Sequence, residues 1–430
     1  MGISKKPSVV KLPGKRNYAI ISANRIVFAL DADDSELNSA VTEEECNHLN
    51  LQKISSEHNT TEMFRESTSL AIIPTLDCNL KCVYCYARGG DEKTSLELET
   101  AQKAISAVSK ECDSADYLDL YLVGGGEPLL NFNLVKEIVS FSESVFHTVR
   151  LHIVSNGTFD DQVIDWLASK DCQIRISFDG APQNIQRPYR EKISPTSPIV
   201  KENIIKLIKK GVPVTVQCIV TNEGLSRLSD TVLEVAGLGV KIIKIEPMLA
   251  TDISRGGKSL MPNPITYADT LLNVIKLVAE SNIDIKIDTG YFSIPSFNPY
   301  CGMGYNNRIL TPNGLITACM EVARLSDPYS EHIIYGKITD TGINTDPEKL
   351  DFLKKVNPTS SPACETCNLR LICHGGCPMA NIWQTGIPPT RSIFTCSVEK
   401  RIIPQLLLWI AINPNISKIV MEDANFSFFN

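Results

Sequence analysis

After residue 68 the sequence settles into one rhythm, a short apolar run followed by an amphipathic helical run, and that alternation limits the fold more than any other feature. The strand-like runs are "LAIIPT", "YLDLYLV", "VRLHIVS", "QIRISFD", "VPVTVQCIV" and "VKIIKIEP". Between them stand runs with helical spacing of apolar residues, among them "SLELETAQKAISAVSKE", "NLVKEIVSFSESVF", "DDQVIDWLAS", "SPIVKENIIKLIKKG" and "GLSRLSDTVLEVAGLG". Strand then helix at this spacing predicts a parallel sheet with right-handed crossovers. Six units are visible, two short of a closed eight-unit barrel, and the sequence changes character after Glu246. The expected fold class is α/β, with an open, partial (β/α)6 barrel.

In parallel α/β folds the chemistry gathers beyond the C-terminal ends of the strands, and the unusual residues of this chain fall there. Cys78, Cys82 and Cys85, in "LDCNLKCVYCYARGG", follow the first strand. "GGGEP" (124–128) follows the second and "SNG" (155–157) the third. "SFDG" (177–180) closes the fourth, and Glu246 with Pro247 closes the sixth. Each alone is ordinary turn chemistry. Together on one rim they read as a site.

Composition decides what the cysteines mean. The 430 residues are 43 % hydrophobic, enough for a large core and a smaller one. Net charge is −7 and no block of Lys or Arg forms a polyanion-binding stripe, so nucleic acid is not an expected partner. The longest apolar run, "IIPQLLLWIAI", contains Pro404 and Gln405 and falls short of the roughly 18 residues that cross a bilayer. The N-terminus "MGISKKPSVV" lacks the apolar core of a secretory signal. No membrane partner is expected, and the expected location is cytoplasmic. In that reducing compartment the fourteen cysteines read first as metal ligands. Cys46, Cys112, Cys172 and Cys218 are scattered and read as small buried apolar residues.

A structural zinc site takes four ligands, whereas three thiolates on a cubane iron–sulfur cluster leave one iron open to another ligand. The C-x3-C-x2-C triad after the first strand, joined to "GGEP", resembles the radical S-adenosylmethionine superfamily. The resemblance covers residues 70 to about 400. It implies that the open iron of a 4Fe–4S cluster chelates S-adenosylmethionine. Reductive cleavage then releases methionine and a 5′-deoxyadenosyl radical that abstracts hydrogen from a substrate. By the same resemblance Gly125, Gly126, Glu127 and Pro128 hold the methionine end, and Ser177 and Arg190 serve the ribose and carboxylate, with Asn156 a further candidate. Tyr84 is expected to pack near the adenine.

Seven more cysteines follow as C-x12-G-x4-C, a gap, C-x2-C-x5-C-x3-C, a gap, and C, with Gly314 as the glycine. This pattern resembles the SPASM extension of one branch of that superfamily. The resemblance implies one auxiliary cluster on Cys364, Cys367, Cys373 and Cys396 and a second on Cys301, Cys319 and Cys377, making three 4Fe–4S clusters in all. Sulfatase-maturing members place an extra cysteine shortly after the first of the seven, and "GMGYNN" here has none. The fourth position of the second set is therefore either open or closed by an outlying residue. C-x2-C is also ordinary zinc spacing, and under that rival reading the chain is a non-catalytic zinc-binding interaction protein. His374 is expected to serve packing or hydrogen bonding.

Enzymes with this extension mostly act on peptides or proteins. The implied function is maturation of a ribosomally made precursor peptide carrying a leader, by a thioether or carbon–carbon crosslink, with a flavodoxin- or ferredoxin-type electron donor. The alternative is side-chain oxidation of the sulfatase-maturing type. Those members carry an aspartate base directly after the cysteine matching Cys319, where this chain has Met320 and then Glu321. Glu321, Asp288 and Glu246 are the candidate proton acceptors.

The expected domains are an N-terminal module (1–66), the barrel (67–290), a cysteine-rich SPASM domain (291–400) and a C-terminal helix and tail (401–430). In the first, "NYAIISANRIVFALD" reads as two strands around a turn at Ala23 and Asn24, and "DSELNSAVTEEECNHLN" as a capped helix. Such a module either pairs a leader peptide along a strand edge or caps the barrel.

Overall fold

The computed structural model describes residues 8–14, 17–22, 25–29, 53–55, 68–111, 116–290, 300–305, 307–356 and 362–420. The helix expected in "DSELNSAVTEEECNHLN", the turn at Ala23 and Asn24, Cys46, Cys112 and the tail beyond residue 420 lie outside the described residues. Four short strands open the chain: β1 (Ser8–Lys11), β2 (Tyr18–Ser22), β3 (Arg25–Ala29) and β4 (Lys53–Ser55). They pair antiparallel in chain order, with β1 and β4 as the two edges among the described strands. Val10, Ile21 and Phe28 join the same apolar core as the barrel.

Seven parallel strands then follow, hydrogen-bonded in chain order: β5 (Ser69–Ile72), β6 (Tyr117–Leu122), β7 (Thr148–Ser155), β8 (Cys172–Ser177), β9 (Val214–Val220), β10 (Ile242–Pro247) and β11 (Lys286–Asp288). The sequence shows six units, and β11, reached through the helix Pro264–Glu280, is the seventh. At three residues of mixed polarity it is too short to register as a strand-like run. The alternation thus continues past Glu246, where the sequence suggested a change of character.

Period-two side-chain direction divides each strand. Leu118, Leu120 and Leu122 of β6 turn outward, where the helix Leu98–Glu111 presents Ala101, Ala104, Ile105 and Val108 at helical spacing. The opposite register runs through Asp119 and Tyr121, then His152, Arg175, Gln217, Lys244 and Asp288 on successive strands. The inner face is therefore largely polar. Helix ends are fixed locally: Asp160 accepts from the amides of Gln162 and Val163, and Asn263 from those of Ile265 and Thr266. After the helix Ser197–Lys209, Gly211 stands at φ 79° and the Val212 amide returns to the Leu207 carbonyl, a Schellman closure.

The barrel does not close on itself. The free edge of β5 is taken by β12 (Ile309–Leu310), parallel to it, and β13 (Leu315–Thr317), β14 (Ile334–Thr339) and β15 (Gly342–Thr345) continue antiparallel. Both cysteine fields thus hang from one sheet of eleven strands. A helix, Ile393–Ile412, spans the boundary expected at residue 400 and lays Phe394 against Tyr267 of the barrel helix, ring centroids 6.3 Å apart. Among the described residues no helix is long and apolar enough to cross a membrane.

Candidate functional site

The loop after β5 is held as an added strand. Leu80 bridges Tyr189, the amides of Lys81 and Val83 donate to the carbonyls of Pro188 and Gln186, and the Arg190 amide donates to Asn79. Cys78, Cys82 and Cys85 are thereby fixed along one short stretch whose first two thiols bear electrostatically on their neighbours. Burial pushes the Cys78 thiol up to about 12, with Glu127 adding to it, and burial pushes Cys82 up to about 11 against the pull of Arg187.

The "GGGE" loop lies against the base of this stretch, backbone on backbone. The Gly126 amide donates to the Thr75 carbonyl and the Glu127 amide to that of Asp77, at 2.9 and 2.8 Å. A Cβ on Gly126 would stand 1.8 Å from the Asp77 carbonyl oxygen, so only glycine fits. Gly125 needs its left-handed φ of 64° as well. Pro128 opens a single 3-10 turn, Pro128–Asn131, capped by Glu127. The Glu127 carboxylate is buried and accepts from the Leu129 amide (3.1 Å), the Ser155 hydroxyl (2.8 Å) and the Asn156 amide (2.7 Å). Burial outweighs these bonds and pushes it up to about 7. Asn156 donates in turn from its side chain to Asn79, 2.8 Å away, which ties β7 to the cysteine loop.

Two networks, one buried and one reaching the surface at Asp91, brace the loop from outside. Asp179 accepts from the Tyr84 hydroxyl, from Arg187 Nε at 3.0 Å and from the Ile219 amide at 3.1 Å. Tyr84 is thus anchored in the wall with the Arg187 guanidinium 5.2 Å over its ring, while Tyr86 lies among Cys85, Cys319, Glu246 and Glu321. Arg190 and Arg255 converge on the Gly89 carbonyl (2.7 Å each) and on Asp91 (3.0 and 2.7 Å). Among the described residues the buried Arg190 Nε has no partner. Ser177 ends β8 in the inner register, level with Gln217 of β9.

The second field faces this rim. Gly314, at φ 74°, turns β12 into β13 and so sets Cys319 just past the strand. Met320 lies against Gly124, 3.2 Å from where a Cβ there would stand. The thiols fall into two sets: Cys301, Cys319 and Cys377 bear on one another, as do Cys364, Cys367, Cys373 and Cys396. Burial raises Cys301 to about 11 and lifts Cys319, Cys377 and Cys373 above the usual thiol range. Backbone amides oppose this: Met303 donates to the sulfur of Cys301, Glu321 to Cys319, Gly375 to Cys373, and Ala380 and Met379 to Cys377. His374, Gly375 and Gly376 of "CHGGC" adopt positive φ (51°, 80° and 73°) to make that turn.

Every described cysteine is a free thiol, and no three donors among the described residues close on a single ion. Thiols buried this deeply are protonated near neutrality, yet several have amides aimed at the sulfur, which stabilise the thiolate a cation would draw out. That donor set fits iron–sulfur ligation. Between the two fields stand the carboxylates. Glu321 accepts from the Trp383 indole at 2.6 Å and is raised by burial, with the Glu246 charge acting in the same direction. Glu246 accepts from Gln217, and Lys244 lies 3.5 Å from Glu246 and 3.8 Å from Asp288.

Four partners escaped the reading of the sequence: Asp179, Arg187, Arg255 and Trp383. Asp179 stands inside "SFDG" and Arg187 inside "QRPYR", stretches whose rim position was the available signal. Nothing local marks Arg255 or Trp383, whose partners lie far along the chain.

The Radical SAM superfamily profile matches residues 72–234. An uncharacterized protein of Methanocaldococcus jannaschii is 32 % identical over 200 residues, covering 46 % of this chain and 67 % of that protein. The chain belongs to the radical SAM superfamily and is an enzyme. Mycofactocin maturase MftC of Mycobacterium ulcerans is 25 % identical over 332 residues, covering 73 % of this chain and 83 % of MftC. Among solved structures, Streptococcus suis SuiB bound to precursor peptide SuiA matches the fold with a TM-score of 0.55 at 13 % identity, covering 91 % of this chain and 99 % of that one.

Proposed function

We propose that this chain is a radical S-adenosylmethionine peptide maturase that crosslinks a ribosomally made precursor, through a thioether or carbon–carbon bond, with two auxiliary clusters beside the substrate. The observation that carries it is the convergence of two thiol sets, the first triad and that of Cys319, on one polar space that holds Tyr86, Glu246 and Glu321. The similarity to MftC over most of both chains supports the substrate class. The fold match to SuiB bears on the architecture alone.

In this reading Cys78, Cys82 and Cys85 hold the first cluster, and Cys301, Cys319 and Cys377 with Cys364, Cys367, Cys373 and Cys396 hold the others. Cluster and S-adenosylmethionine together supply a 5′-deoxyadenosyl radical, which takes a hydrogen atom from the substrate. Gly125 and Gly126 let the loop seat on the cysteine stretch, and Glu127 Oε2, with one hydrogen bond made, keeps a lone pair for an ammonium. The unpartnered Arg190 Nε is the donor left for a carboxylate or ribose oxygen, with Asn156 and Ser177 on the same rim. Tyr84 braces the loop through Asp179, and Pro128 shapes the turn below it.

Crosslinking takes a hydrogen atom, an electron and a proton from the substrate: the electron would pass to the auxiliary cluster that Cys301, Cys319 and Cys377 would hold, and the proton needs a base. Trp383 holds one oxygen of Glu321 and leaves the other to receive it. Asp288 is the secondary candidate, since it shares Lys244 with Glu246. A flavodoxin- or ferredoxin-type donor supplies the electron that starts the cycle. Among the described strands β1 and β4 are the edges of the N-terminal sheet, and a leader would add along one of them.

The test replaces Cys78, Cys82 and Cys85 together with Ala in the reconstituted chain. Formation of 5′-deoxyadenosine should stop while auxiliary iron remains. Continued cleavage in that variant would sink the assignment, and zinc in place of iron in the wild type would return the chain to the class of metal-binding interaction proteins.

A further inference from the structure

The segment 185–193 lies directly beside the cysteine stretch: Leu80 bridges Tyr189, and the amides of Lys81 and Val83 donate to the carbonyls of Pro188 and Gln186. At its two ends stand isoleucines turned to solvent, Ile185 at 73 % exposure and Ile193 wholly exposed. One exposed apolar side chain is ordinary, but two that bracket a short strip with cations around them have the make-up of a contact surface. The charges around the strip are uneven in sign. Asp91, Glu92 and Asp179 are each bound by an arginine, Arg190, Arg324 and Arg187 in turn. Lys81 and Lys192 are exposed, and Lys192 stands 5.6 Å over the Tyr189 ring. Glu191 is the one acid within 185–193, so the strip runs against the net charge of −7 carried by the whole chain.

We propose that this strip, Ile185 and Ile193 with Lys81 and Lys192, is the surface on which a reduced flavodoxin docks to deliver the electron that starts the reaction. The inference rests on reading Cys78, Cys82 and Cys85 as ligands of the electron-accepting cluster. Lys81 stands between Cys78 and Cys82 in the chain, so a donor seated here comes as near to that triad as the folded surface allows. The chemistry of the strip fits this occupant. A flavodoxin presents the apolar dimethylbenzene edge of its flavin inside an acidic rim, and isoleucines flanked by lysines complement both parts. Opposite charge steers the encounter, and the apolar contact holds the docked pair. One electron leaves the flavin, which is oxidised by one electron, and reduces the cluster by one. No proton is transferred and no bond forms or breaks.

The experiment follows 5′-deoxyadenosine formation by the reconstituted full chain with S-adenosylmethionine, driven either by limiting, photochemically reduced flavodoxin or by dithionite alone, with iron and sulfide counted on the same samples. The double variant Lys192→Glu, Ile193→Asp should lower the flavodoxin-driven rate about tenfold and flatten its fall with added salt, because rim charges act through steered encounter. Its dithionite-driven rate and iron content should stay at wild-type values, since a small reductant needs no docking surface. Ile185→Asp, at the far end of the strip, should shift the flavodoxin-driven rate in the same direction. A wild-type flavodoxin-driven rate in both variants, or an equal fall with both reductants, would overturn the inference. So would a wild type that cleaves with dithionite and not with flavodoxin, or variants that lose ferredoxin-driven cleavage in a parallel assay while the flavodoxin-driven rate holds. Wild type inert with every reductant is a separate result, and it fails the cluster reading itself.

Discussion

Glu127 shows how one residue sets terms for its surroundings. Three donors hold it, yet burial dominates, and its proton is bound up to about pH 7 instead of the ordinary 4.5. The folded state therefore binds a proton more tightly than the unfolded state between these values, and stability falls as pH rises through that window. In the metal-free protein, wild type should lose about 3 kcal/mol relative to Glu127→Gln between pH 4.5 and 8, since each pH unit separating the folded from the unfolded value is worth about 1.36 kcal/mol. Denaturant unfolding at four pH values reads this slope, and parallel curves for the two proteins would show that the hydrogen bonds cancel the burial. The identity of Glu127 was legible in the sequence because it sits in a short motif. Its protonation was not, since that depends on how Ser155 and Asn156 on the next strand close around it.

At the scale of elements, the cysteine loop is an extra strand stitched to the segment 186–190, and Asp179 pins both through Tyr84 and Arg187. Removing one partner of a buried ion pair strands the other, at a cost of about 3 to 5 kcal/mol. Asp179→Ala should therefore lower unfolding stability by that order and reduce iron taken up at the first triad, while Asp179→Asn should recover part of both. Full iron loading in Asp179→Ala would mean the loop holds its shape without the brace. The long parallel strands were readable from their apolar runs, whereas β1, β4, β11 and β12 were not. They are two to four residues long, and pairing partners rather than their own composition make them strands. The Asp179 brace was hidden for a related reason, its hydroxyl donor lying 95 residues away.

For the molecule as a whole, the C-terminal helix is part of the barrel's packing as well as the carrier of Cys396. Phe394 is buried against Tyr267, and Arg401 reaches Asp269 on the same barrel helix at 2.7 Å. Truncating a buried aromatic leaves a cavity, so Phe394→Ala should cost about 3 kcal/mol and lower the guanidinium midpoint in a single transition. Two separate transitions would show that the cysteine-rich segment unfolds on its own. The sheet argues for one transition, because β12 is zipped to β5 and not joined by a linker. Rungs of one ladder make a ruler of fixed length. The distance from the end of β5 to Cys319, just past β13, is set by strand register, in steps of a residue. A bulkier or smaller substrate would then be met at the loops of the rim and not by a change in that distance.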